Sequence, residues 1–333
     1  MFTDKFITAY IKQHAIESAD SDHSQIHRDK DDYLAGCLNI YEKYCKGTPL
    51  KEQISTWLEL LDITGNPEYL GYKTAFVARS PKFLNDALFQ SVSIAHATQV
   101  CRAAGDHCAN YRIALLALAG GMVDRIPLLL PEEVGMSKNG HIVATSITNL
   151  IMALWYKRAD FIEESRKMAM RALGNKQPAI YYAQIRYLLA LLDGDVVEAG
   201  IQLDLFCRGV PKVQEFGVSK LKKMFWPPAH GLYNLAFAVL GKKMALEIPM
   251  PAPDCFCCDL AKWQIEHDFR PGNLFFDYPK PIDLVNNILR CTPPAIVLFQ
   301  PYLNTEERYR HEWFVNGDYF KEQLVASILD IIL

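Results

Sequence analysis

Long apolar runs are missing from this sequence. None reaches the ~18–20 residues needed to cross a bilayer, so no helical membrane span is expected. A surplus of one charge is missing too: 35 Lys and Arg stand against 38 Asp and Glu, a formal charge of −3. A dedicated nucleic-acid binder is usually net basic, so that class is set aside. Met1-Phe2-Thr3-Asp4-Lys5 leads into an amphipathic stretch rather than an apolar h-region, and no signal peptide is expected. The nine cysteines are odd in number and sit mostly inside apolar helical patterns, as in a reducing compartment. The expectation is a cytoplasmic protein. Complete catalytic motifs are absent as well. There is no G-x-S-x-G elbow and no G-x-G-x-x-G after a strand. His311-Glu312 lacks a second His at Val315, and Gly135 to Gly140 has P-loop spacing but continues His141-Ile142 in place of Lys and Ser/Thr. No catalytic residue and no cofactor is nominated.

What is present is apolar bulk and helical punctuation. Of 333 residues half are hydrophobic and 22% charged, enough for one large core or two ordinary ones. Asp31 and Asp32 are N-cap candidates for a helix carrying Tyr33, Leu34, Cys37, Leu38, Tyr41, Tyr44 and Cys45, stopped by Gly47. Thr48-Pro49 starts a second, with Leu50, Ile54, Trp57, Leu58 and Leu61, ending at Gly65-Asn66-Pro67. Ser80-Pro81 starts a third, through Leu84, Leu88, Val92 and Val100 to Gly105.

Three corners pair a small residue with Asp: Gly105-Asp106, Ala159-Asp160 and Gly194-Asp195. The last two lie about 35 residues apart, the length of one helix–turn–helix unit, with an apolar helix on each side. At such a corner Asp can cap the second helix while Gly takes the positive φ that ends the first. The fold predicted is all-α: stacked antiparallel helical hairpins over residues 1–248, with a less regular Pro-rich segment, 249–333, packed on them. Pro249, Pro251 and Pro253 make that segment's start stiff and extended. Within it Ile282 to Leu289 suits a short helix and Ala295 to Phe299 a strand or buried helical turn. A closing helix from about Asp318 carries Phe320, Leu324, Ile328, Ile331 and Ile332 on one face.

Several clusters have a chemical reading and a plainer one. Cys255-Phe256-Cys257-Cys258 contains C-x-x-C, but zinc needs two close pairs and only one exists, which favours a turn of buried thiols. His23 and His27, four apart among acids, suit a metal or, better, a solvated acidic loop. His267-Asp268-Phe269-Arg270-Pro271-Gly272-Asn273 resembles the catalytic loop of aminoglycoside and choline phosphotransferases, with an aspartate base five positions before a magnesium-binding asparagine. Asp283 then imitates the later metal-binding aspartate. The residue normally between His and Asp is missing, and no strand-rich nucleotide lobe precedes the loop. An ordinary Pro-Gly-Asn turn is favoured.

Two charge-biased stretches are candidate partner surfaces. The first is acidic and includes Glu17, Asp20, Asp22, Asp29, Asp31 and Asp32. The second runs from Arg208 to Lys243, with Lys220, Lys222 and Lys223 against the single acid Glu215, and Trp226 interleaved as a possible anchor.

From about Gly105 to Leu260, roughly half the chain, the sequence resembles the immunity protein 49 family of bacterial polymorphic toxin systems. The features are the corner Ala190-Leu191-Leu192-Asp193-Gly194-Asp195 with the helix through Phe206, and the later helix from Pro228-Ala229-His230-Gly231 to Leu240-Gly241. A short extended Ala245-Leu246-Glu247-Ile248-Pro249 segment follows. Chains of that family show a similar Leu-Leu-x-Gly-Asp corner and a Leu-Ala-rich helix ending in Gly. The resemblance implies a cytoplasmic immunity protein that binds and neutralises a cognate protein toxin, of nuclease type and delivered by a type VI or related system. It implies no catalytic set, cofactor, nucleic-acid or membrane partner. A helical-repeat scaffold or adaptor is the alternative, and a metal- or nucleotide-dependent enzyme the second. The acidic stretch is slightly favoured as the contact surface, since it would mimic a nuclease's polyanionic substrate.

Overall fold

The computed structural model describes residues 2–19, 26–65, 67–102, 105–214, 218–300 and 312–333. It is all-α. Helices α1 (Asp4–Ala19), α2 (Lys30–Ile40), α3 (Leu50–Leu60), α4 (Glu68–Val77), α5 (Pro81–Cys101), α6 (Tyr111–Ala119) and α7 (Ile126–Leu129) lead into two long antiparallel hairpins. These are α8 (Ile142–Tyr156) with α9 (Ala159–Leu173), and α10 (Ala179–Asp193) with α11 (Val196–Gly209). Then come α12 (Lys220–Met224), α13 (Pro227–Leu240), α14 (Lys242–Ala245), α15 (Cys258–Glu266), α16 (Leu284–Arg290) and α17 (Gly317–Ile332). Among the described residues the strands are β1 (Leu298–Phe299) and β2 (Phe314–Val315), paired antiparallel. No described helix is long and apolar enough to cross a membrane.

Helix α5 is the hub. It starts on the Ser80 cap, whose side chain accepts from the Phe83 N–H, with Pro81 at the first helical position. Fifteen of its 21 residues are buried, as expected for a helix enclosed on all sides. It packs against α3, α4, α6, α15, α16 and α17. The α17 face falls as predicted at Phe320, Leu324 and Ile328, while Ile331 is 61% exposed. Helix α13 crosses α6 at Gly231, where a Cβ would stand 2.1 Å from the Leu115 carbonyl oxygen, so only glycine permits that approach.

The segment after Ile248 is part of the same core, which runs without a break from Tyr33 to Ile328. Its irregular stretch lies along α5 and is held by buried polar side chains. Asp86 accepts from the Asn273 N–H at 2.9 Å, Gln90 from the Phe276 N–H at 3.2 Å, and Asn85 donates to the Arg270 carbonyl at 3.2 Å. Gly272 lets the segment close on α5, since a Cβ there would meet the Asn85 carbonyl oxygen at 2.7 Å. Asn286 brackets Tyr278 with two bonds of 2.8 Å, and Tyr278 meets the Tyr33 hydroxyl at 2.8 Å.

Several local expectations need correction. Asp29, not Asp31 or Asp32, caps α2; its carboxylate accepts from the Asp32 N–H. That helix passes into a wider turn at Tyr41–Cys45 before Gly47. Pro49 stands one position earlier than expected, at the cap of α3. Helix α4 was not foreseen. Asp195 caps α11 as predicted, with Gly194 at φ 70°, but Asp160 caps nothing. Lys157 takes the left-handed position there and Asp160 pairs with Arg158. Ala245–Pro249 is not extended: α14 runs into a turn, with the Ile248 N–H donating to Ala245.

Candidate functional site

A cleft of about 580 Å³ opens between the α4–α5 wall and the α10–α12 side, with α6 at its base and the start of α13 at one end. That volume lies in the range of small-ligand and peptide pockets. Tyr69, Tyr72, Tyr111, Tyr181 and Trp226 supply aromatic surface, and Gln184, Glu68, Asp62, Arg102, Arg112 and Lys222 supply polarity. Asp62 is ion-paired with Arg102, and Glu68 accepts from the Ser91 hydroxyl at 2.5 Å. The Arg112 guanidinium lies over the Tyr111 ring, 5.9 Å from its centroid. Burial, and next the charge of Glu68, push the Tyr69 and Tyr72 hydroxyls well above their ordinary pKa, so both stay protonated.

Of the residues singled out from the sequence, two meet here. Lys222 stands half-buried on α12, whose N-terminus is capped by Ser219, and Trp226 precedes the Pro227-Pro228 start of α13. Lys220 is exposed and Lys223 half-buried on the same short helix, outside the cleft lining. The acidic set is more dispersed. Glu17 is turned inward and accepts from the Leu221 N–H at 2.8 Å, so it anchors α12. Asp29 is the α2 cap, and Asp32 accepts from the Arg28 N–H and lies 3.4 Å from His27. The Arg28 bond and neighbouring charges hold Asp32 below the usual carboxylate range. Asp31 is exposed in the first turn of α2, and Asp20, Asp22 and His23 lie outside the described residues. Glu17, Asp29 and Asp32 thus each bond a main-chain N–H of the protein itself.

The other clusters have structural employment. Asp268 is exposed and lies 3.5 Å from Lys242, while the Asn273 N–H is bonded to Asp86. Cys255 points at the Cys207 carbonyl and Cys258 at the Pro251 carbonyl. The Cys207 thiol is pushed up by its hydrogen bond with Cys255 and by burial, and burial takes Cys257 up to about 12. Such thiols stay protonated. Among the described residues no three His, Cys, Asp or Glu side chains are grouped to hold a metal ion.

The sequence missed the cleft's other members. Tyr69, Tyr111 and Gln184 come from three helices and leave no local spacing; only the interleaving of Lys222 with Trp226 was visible. Compared with known protein families, curated proteins and solved structures, the chain matches none.

Proposed function

We propose that this protein is an immunity protein, neutralising a cognate toxin by stoichiometric binding rather than turnover, with the cleft as part of the contact surface. The observation that carries the reading is the meeting of Lys222 and Trp226 with a ring of tyrosines in one concavity. Aromatic anchors in desolvated pockets are where binding energy concentrates. Walls borne on packed helices need little ordering on association. The family resemblance supplies the class of partner, a toxin delivered by a type VI or related system and met in the cytoplasm. A nuclease-type toxin belongs with the acidic stretch, where exposed Asp31 offers a second, smaller contact. The test is co-expression with the product of the adjacent gene. A one-to-one complex and protection of the cells are expected, and Lys222→Glu with Trp226→Ala should abolish both without altering the far-UV circular dichroism. A complex indifferent to those changes would move the contact off the cleft.

One feature favours a scaffold or adaptor as second reading. Helix α11 exposes Val197, Ile201 and Leu205, spaced one turn apart and 68%, 50% and 46% accessible. Apolar stripes of that kind are commonly docking faces. Absence of any complex or protection in the co-expression test would leave this reading in place of the first.

A further inference from the structure

We infer that the exposed face of α11 is the contact of a two-fold homodimer, in which α11 packs antiparallel on the same helix of a second copy. A turn of 3.6 residues puts Gly194, Val197, Ile201, Leu205 and Arg208 on one face. Val197, Ile201 and Leu205 form its apolar middle, each about half exposed or more. The chain from Met244 to Cys255 runs beside α11 in the same direction. A Cβ on Gly194 would lie 3.7 Å from Met244 Cε, one on Gly200 would meet Pro249, and the Ala252 N–H donates to Asp204. That flank adds exposed Met244, Leu246 and Pro249 to the apolar surface. Scattered apolar side chains on a surface are normal, whereas a contiguous patch marks an interaction site.

The charges at the two ends of the face say what covers it. Asp193, Asp195 and Glu198 stand at its start, and Arg208 and Lys212 at its end. Asp195 accepts from the Glu198 N–H and Glu198 from the Gln202 amide, and neither meets a cation among the described residues. Lys212 is exposed in the turn after α11. A face ordered acid, apolar, base is complementary to itself when one copy is turned end for end. About a two-fold axis at Ile201, Val197 of one copy meets Leu205 of the other, and Arg208 meets the Gly194 corner with its acids. Antiparallel axes also set each helix N-terminus beside its partner's C-terminus, where the end charges attract. A parallel pairing would set acid on acid and base on base. The complement that a partner must carry is therefore the pattern that α11 itself carries. One helix face with one flank is smaller than the roughly 800 Å² per partner of a standard interface, so a dissociation constant of about 10–100 µM is expected. Val197, Ile201 and Leu205 do not line the cleft, so the inference does not depend on the toxin-binding reading.

The test is sedimentation equilibrium of the full chain between about 5 and 300 µM, a range that brackets the expected constant. The average mass should rise with concentration towards two copies. Ile201→Glu should hold it at one copy with unchanged far-UV circular dichroism, since that side chain is 50% exposed and its loss opens no cavity. Arg208→Glu should weaken the dimer about tenfold, and adding Glu198→Lys should restore most of that loss. Geometry is read by air oxidation over copper phenanthroline, with the unaltered chain as control for its own thiols. Ile201→Cys should link two copies through the axis. Val197→Cys alone should not, because the two positions stand about 12 Å apart along antiparallel helices, whereas Val197→Cys with Leu205→Cys should. A single copy at 300 µM overturns the inference and returns the stripe to the adaptor reading. A dimer that Ile201→Glu leaves intact overturns it too, as does linkage of Val197→Cys as readily as Ile201→Cys, the signature of parallel helices.

Discussion

Between Ile142 and Gly209 the chain is held by apolar faces; between Arg270 and Asn286 it is held by side-chain amides and carboxylates. In the hairpins, Ile147, Leu150, Ile151 and Leu154 of α8 and Ile185, Leu188 and Leu191 of α10 are buried at helical spacing. Their backbone groups are satisfied within each helix, so the packing rests on buried apolar faces, with single side-chain bonds such as Ser165 Oγ to the Asn149 carbonyl and Tyr187 to the Leu232 carbonyl added to them. The segment along α5 has no helix or neighbouring strand to satisfy its backbone. Asn85, Asp86, Gln90 and Asn286 stand in for one, each bonding a main-chain N–H or C=O. A buried irregular chain needs such partners, because an orphaned group forfeits its bond to water.

The largest effect expected is on the apolar side of this contrast. Leu150→Ala, at a fully buried α8 position, should lower stability by about 2–5 kcal/mol in urea unfolding, by lost transfer energy and a residual cavity. The polar side should answer differently. Gln264 of α15 donates to Asn85 Oδ1 at 2.8 Å and to the Ala119 carbonyl at 2.7 Å, and its oxygen accepts from Asn234. Gln264→Leu leaves those groups underbonded and should cost about 1–3 kcal/mol. Its signature is local: amide exchange should accelerate at Asn273 and Phe276 before the hairpins respond. Uniform acceleration would mean that both regions unfold as one unit and the contrast has no energetic meaning.

Legibility followed the same division. The α8–α11 hairpins, the Ser80 cap and the Asp195 corner could be read because periodicity and caps are local signals. Polar residues inside α5 could not. Asn85, Asp86 and Gln90 look like surface positions in a single sequence, and only the tertiary fold brings Arg270 to Phe276 against them. The Asp268–Asn273 spacing suggested phosphotransfer for the same reason: a loop shaped by packing on α5 resembles one shaped for catalysis. Lys222 and Trp226 were visible as a bias of composition, whereas Gln184 reaches the cleft only through the placement of α10.

Acid should loosen a third contact, the packing of α13 on the chain at Phe256 and Cys257. His230 on α13 stacks on Phe256 at 4.1 Å, and its Nε2 accepts from the Cys257 N–H at 2.9 Å, a bond that requires neutral imidazole. Burial holds its pKa down to about 3, against 6.5 ordinarily. Above pH 6.5 both folded and unfolded states are neutral and stability is undiminished. Between 6.5 and about 3 only the unfolded chain takes up the proton, so stability falls by about 1.4 kcal/mol per pH unit. From pH 7 to 5 the loss from this group should be about 2 kcal/mol. Burial likewise lowers His96 to about 3 and His14 to about 4, so both add in the same direction. Urea unfolding at the two pH values measures the sum, and His230→Gln should flatten part of the slope.

The smallest effect separates two corners that read alike. At Gly194-Asp195 the carboxylate accepts from the Glu198 N–H at 3.0 Å, satisfying one of the orphan donors at the start of α11. Asp195→Ala should therefore cost about 1 kcal/mol, the usual worth of a cap. At Ala159-Asp160 the helix begins two residues earlier relative to the pair, with Arg158 in the cap position and no side-chain cap bond. Asp160 instead pairs with Arg158 in open solvent, where an ion pair adds little and salt screens it. Asp160→Ala should leave the melting temperature unchanged within measurement error, and raised salt should not alter that. Equal losses at the two corners would show that the small-Asp pair acts through something other than capping, such as the N-terminal helix charge shared by both.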